Sequence, residues 1–181
     1  MIDHKKLSNF LFGIALFGLM SGIINAQTID GDLGATSQGQ INIELEVTDS
    51  VEISSLSEIS FPSYGGNQTG GINEEIGFCV YVNGGDGYTI TPTSSNGKFA
   101  LIGPTNDEIE YTVKFAGSAA GAASSNTVAY NTASSTFNGS KFRYCDGGLN
   151  ASLNVGIEEQ EIRDATTGEY TDILILLVNP V

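Results

Sequence analysis

From Gln40 to Thr48 the chain alternates, with Ile41, Ile43, Leu45 and Val47 separated by Asn42, Glu44 and Glu46. A two-residue period puts the four aliphatics on one face of an extended strand; a helix of 3.6 residues per turn scatters them. A Gly- and polar-rich lead, Gly31–Gly39, precedes the segment. Two roles fit such a strand. It is the first strand of its own sheet, or it is a detachable arm that completes the sheet of another molecule.

The rest of the chain repeats the strand period. Val51 and Ile53 alternate ahead of Leu56, Ile59 and Phe61, and Pro62, Gly65, Gly66, Gly70 and Gly71 then break the chain. Ile76–Val82 places Ile76, Phe78, Val80 and Val82 on one face and Cys79 and Tyr81 on the other. The cluster Asn83–Gly87 followed by Tyr88–Thr91 reads as a β-hairpin. Phe99–Ile102 and Ile109–Phe115 are expected strands, and Val128–Tyr130 a short edge strand. Leu149, Ala151, Leu153, Val155 and Ile157 alternate with small polar residues, which predicts one buried and one solvated face. In the last predicted strand, Tyr170–Val178, the apolar run Ile173–Val178 is nearly continuous, as expected when both faces are covered. Roughly eight strands, 23 glycines and no convincing helical period predict an all-β, immunoglobulin-like two-sheet sandwich.

The first 26 residues read differently. Lys5 and Lys6 precede an apolar stretch, Phe10–Met20, too short to span a bilayer, and Ser21–Ala26 leads to a cut before Gln27. This is the plan of a secretory signal peptide. Removing 26 of 181 residues leaves 155, enough for one domain with a real core. Of 7 basic and 21 acidic residues the leader takes Lys5, Lys6 and Asp3, leaving 5 and 20 and a net charge of −15. Such a surface repels nucleic acid and anionic lipid.

Candidate chemistry is sparse. The one histidine, His4, lies in the leader, so the exported chain lacks the commonest general base and metal ligand. Asp86 among glycines is too few carboxylates for a calcium cage. Glu158, Glu159 and Glu161 read as a solvated strand end. No cofactor motif, metal set or catalytic pair is expected, and the chain is not read as an enzyme. Cys79 and Cys145 remain, and outside the cytosol an even pair forms one disulfide.

The segment Gly39–Val47 resembles the donor segment of archaic chaperone–usher pilins, the spore coat protein U-like subunits. Gly168-Glu169-Tyr170-Thr171-Asp172 leading into Ile173–Ile175 is similar to that family's closing motif. Leu56–Phe61 resembles its early strand end, and Cys79 falls where a cysteine fits. The chain departs from the family pattern at Pro62, where Gly is usual, and in lacking a cysteine within Thr48–Ile53. The resemblance implies an incomplete sandwich completed by a donor strand. It divides the chain into a leader (1–26), an extension with the donor strand (27–48) and a pilin-like domain (49–181). It assigns Ile41, Ile43, Leu45 and Val47 to the inserting row, the Cys79–Cys145 pair to a staple, and Ile173, Ile175 and Leu177 to a terminal strand bordering the acceptor groove. Its implied partners are identical or related pilin subunits, a periplasmic chaperone and an outer-membrane usher. The implied destination is a surface pilus, reached through the periplasm, that supports adhesion and biofilm formation. The competing expectation is a self-contained secreted sandwich that binds a glycan or surface polymer, with Ile41–Val47 as its built-in first strand.

Overall fold

Alternation along the chain becomes two facing sheets in the computed structural model, which describes residues 28–66, 69–118 and 126–181. The expected leader, 1–26, lies outside the described residues. The chain divides into a leading unit ending at Leu45 and a second unit, Glu46–Val181, that holds every strand described.

The larger sheet is built from β1 (Ser50–Ser54), β2 (Ile72–Asn83), β6 (Thr112–Ala116), β7 (Asn126–Thr127) and β9 (Ala151–Ile157), in the order β1-β2-β9-β6-β7. The smaller holds β3 (Gly87–Ser94), β8 (Phe137–Asn138) and β10 (Leu174–Pro180), in the order β10-β3-β8. A two-stranded ribbon, β4 (Ala100–Ile102) with β5 (Glu108–Glu110), stands beside them. All of these strand pairs are antiparallel. Among the described residues the architecture is an all-β sandwich with one short α-helix, α1 (Glu159–Asp164).

The core is what the period demands. Phe78, Val80 and Val82 from β2 and Val113 and Phe115 from β6 are fully buried, as are Tyr88 and, almost fully, Ile90 from β3. Phe78 and Phe115 meet edge to face, with centroids 6.4 Å apart and planes at 83°. Burial pushes the Tyr88 phenol up to about 12.

Several expectations are corrected. Among the described residues Gln40–Thr48 forms no ladder beyond an isolated bridge between Ile29 and Gln40. Asn83–Gly87 is not a hairpin turn. β2 and β3 lie in different sheets, so the segment is an arch from one layer to the other. Gly84 (φ +92°) makes the arch possible, since a Cβ there would stand 1.8 Å from Asp49 Oδ1. Asp86 sits 2.7 Å from Lys141 Nζ. Ile109–Phe115 is two strands, and the chain leaves the ribbon for the main sheet at Tyr111. β9 is buried on both faces, because it lies between β2 and β6 and its outward Ser152 and Gly156 are small. Glu159 and Glu161 belong to α1 rather than a strand end.

An acid clamp ties the turn after β4 to the approach of β10. Asp107 Oδ2 accepts from the Thr166 amide (2.7 Å), the Thr166 hydroxyl (3.0 Å) and the Tyr170 hydroxyl (2.5 Å). The Thr166 amide, then these hydroxyls, hold its carboxyl down at about 2 against an ordinary 3.8. A depressed carboxyl contributes its stabilisation in full above the unfolded value and loses it as pH falls through the folded value. The clamp is therefore expected to loosen as pH falls from 3.8 towards about 2. The protection factor of the Thr166 amide should fall over that window, and Asp107→Asn should abolish this pH dependence of protection.

Candidate functional site

Each sheet ends in a free strand edge on the same flank. β1 ends one sheet and β10 ends the other, and the two strands are neighbours across the layers. β1 pairs with β2 along its whole length, from Ser50↔Asn83 to Ser54↔Cys79. β10 pairs with β3 from Leu174↔Ser94 to Pro180↔Tyr88. Among the described residues neither strand has a ladder partner on its other side. An edge of this kind presents a row of amide and carbonyl groups able to take another strand.

Side chains along the flank are only half covered. Val51 and Ile53 from β1 and Leu174, Leu176 and Val178 from β10 face the core but stay half-buried, whereas Val80 and Val82 on the interior strand β2 are fully buried. Beyond β1 the chain bends at Ser55, a non-glycine residue with φ +62°. Ile59 and Phe61 then return to pack against the core.

Asp172 sets the start of β10. It accepts from Ser94 Oγ (2.5 Å), Tyr111 OH (2.7 Å), Ser95 Oγ (2.9 Å) and the Ile173 amide (2.7 Å). Burial, then the Asp172 carboxylate, pushes the Tyr111 phenol well above its ordinary value. These bonds fix which residues of β10 turn inward: Leu174, Leu176 and Val178 pack on the core, while Ile175 and Leu177 point outward and are exposed. Ile173 precedes the strand and is also exposed. The covering of both faces expected for this run is therefore not found within the chain. The signal for the true parity is Asn179, which shares the outward face with Ile175 and Leu177.

The alternating segment stands apart in character. Ile41 is 77% exposed, Ile43 93%, Leu45 84% and Val47 62%, a run of contiguous apolar exposure unusual for a soluble protein. Within the leading unit Ile29 and Gln40 exchange two backbone bonds of 3.1 and 2.9 Å, which close the Gly-rich lead into a loop.

Cys79 and Cys145 are joined in a disulfide with Cα atoms 5.8 Å apart. Cys145 sits in a turn, Arg143–Gly147, whose Tyr144, Cys145 and Asp146 all have left-handed φ of 55°, 49° and 53°. Each such non-glycine residue costs about 1–2 kcal/mol.

No protein-family model and no curated protein matches the chain. A solved structure described as a chaperone–tip adhesin complex vital for synergistic activation of CFA/I fimbriae biogenesis is similar to it at 14% identity and a TM-score of 0.46. The match covers 72% of this chain and 42% of that one, so the chain spans less than half of the neighbour's length. Among the described residues no helix is long and apolar enough to cross a membrane.

Proposed function

We propose that this chain is a structural subunit of a surface pilus, exported to the periplasm and polymerised by donor-strand exchange. The supporting observation is a pairing of opposites. The sheet-end strands β1 and β10 offer free edges to an added strand, and among the described residues an exposed four-residue aliphatic row, Ile41 to Val47, has no ladder of its own. Strand addition supplies main-chain bonds to the free edges and sets alternate side chains into the half-covered seam. A periplasmic chaperone would occupy the seam first, and an outer-membrane usher would hand over the next subunit's arm.

The self-contained reading would use Ile41–Val47 as a paired first strand, and among the described residues the strand paired at the outer edge of β2 is Ser50–Ser54. The test is size-exclusion chromatography of the exported chain made with and without a candidate periplasmic chaperone. The pilin reading expects a discrete complex with the chaperone and a ladder of self-associated species without it. A stable, thermally robust monomer in both preparations would end it.

A further inference from the structure

The outer face of β1 and β2 carries a second feature that donor-strand exchange does not use. On β2, Cys79 and Tyr81 alternate with the core-facing Phe78, Val80 and Val82, and Glu52 is the register partner of Tyr81. The disulfide seats the Arg143–Gly147 turn on this face. Beside it lies a shallow depression of about 460 Å³ lined by Ser50, Val51, Glu52, Tyr81 and Arg143.

Arg143, which lines it, lies between two exposed aromatic residues in the chain. Phe142 is 67% exposed and Tyr144 56%. Arg143 bridges the parts, its guanidinium 5.5 Å from the Tyr144 ring centroid and its Nε 2.6 Å from Glu52 Oε2. A turn that exposes two aromatics and holds three residues in left-handed backbone is costly to keep for packing alone.

We infer that this depression binds a neutral oligosaccharide, stacking a sugar ring on Tyr144 or Phe142 and hydrogen-bonding its hydroxyls to the Arg143–Glu52 pair. Exposed aromatic faces suit the C–H face of a pyranose, and a guanidinium beside a carboxylate offers adjacent donors and acceptors to neighbouring hydroxyls. Charge selects the class. Arg143 is matched by Glu52 and nearby Lys141 by Asp86, and Asp146 in the same turn adds a carboxylate, so the patch offers no surplus positive charge on a chain with a net charge of −14. A polyanionic glycan would meet repulsion without an uncompensated cation.

Saturation-transfer NMR tests this on the exported full chain with cellohexaose, maltohexaose, mannohexaose and N-acetylchitohexaose, and with a hyaluronan fragment as the anionic control. The method observes the ligand, so it reads equally from monomer or polymer, and its failure is distinct from failure of the pilus reading. The expected result is transfer to at least one neutral sugar and none to hyaluronan. Tyr144→Ala should weaken binding about tenfold or more, and Leu33→Ala should leave it unchanged. Because the chain has no tryptophan, Tyr144→Trp keeps a platform and adds a lone fluorophore, whose emission should change on sugar binding. No transfer to any neutral sugar, transfer undiminished in both Phe142→Ala and Tyr144→Ala, or an unresponsive Tyr144→Trp would overturn the proposal. So would aromatic variants that change self-association alone, since the patch would then be a subunit contact.

Discussion

Leu45→Asp is expected to abolish self-association while leaving the Glu46–Val181 sandwich folded. The substitution removes about 1.5–3 kcal/mol of aliphatic burial from the inserted arm. It also asks a carboxylate to enter an apolar seam, at a further cost of several kcal/mol. Together these weaken the contact by about a thousandfold or more, since each 1.4 kcal/mol is about tenfold. Glu44→Ala, on the opposite face of the same strand, should change little. Deleting the chain up to Asp49 should act as Leu45→Asp does, because it removes the whole row. Light scattering on size-exclusion peaks reads all three variants. Polymer from Leu45→Asp at the level of the unchanged chain would show that the arm is not what joins subunits.

Paired substitution of Cys79 and Cys145 by alanine is the second large effect. The bond closes a loop of 66 positions and restricts the unfolded chain by about 4 kcal/mol in loop-entropy terms. Freeing the turn lets Tyr144, Cys145 and Asp146 leave their left-handed conformations, which returns part of that amount. A net loss of about 2–4 kcal/mol is expected, lowering the unfolding midpoint by roughly 10 °C for a domain of this size. Thermal unfolding of the oxidised chain beside the alanine pair measures it. Asp146→Gly in the intact protein isolates the opposing contribution and should raise the midpoint slightly, because glycine adopts positive φ without penalty.

Much of the sandwich is legible in the residues. Phe78, Val80 and Val82 alternate with Cys79 and Tyr81, and that parity survives as core against outer face. The disulfide follows from two cysteines in a chain read as exported. Less legible is where each strand pairs. Asn83–Gly87 has the composition of a hairpin turn, and an arch between sheets uses the same glycines, so local chemistry cannot distinguish them. Six apolar residues in a row, Ile173–Val178, hide which face is inward, and only Asn179 near the end marks the outward one. Within the candidate site, the alternation of Ile41 to Val47 is plain from the sequence, yet their exposure is a fact about missing partners rather than about pattern. The aromatic turn at Phe142–Tyr144 carries no periodicity and emerges only once Cys145 is fastened to Cys79.

β10 joins an unpaired edge to an outward row of Ile175 and Leu177 with Ile173 just before it. It is thus a sticky element of an unoccupied protomer, and time spent empty is time at risk of clumping. Mutual repulsion between copies, each with a net charge of −15 without the leader, is the brake. Dissolved ions shorten its reach to about 10 Å at 0.1 M and about 3 Å at 1 M. Brine, more than warmth, is where lone protomers lose their independence first.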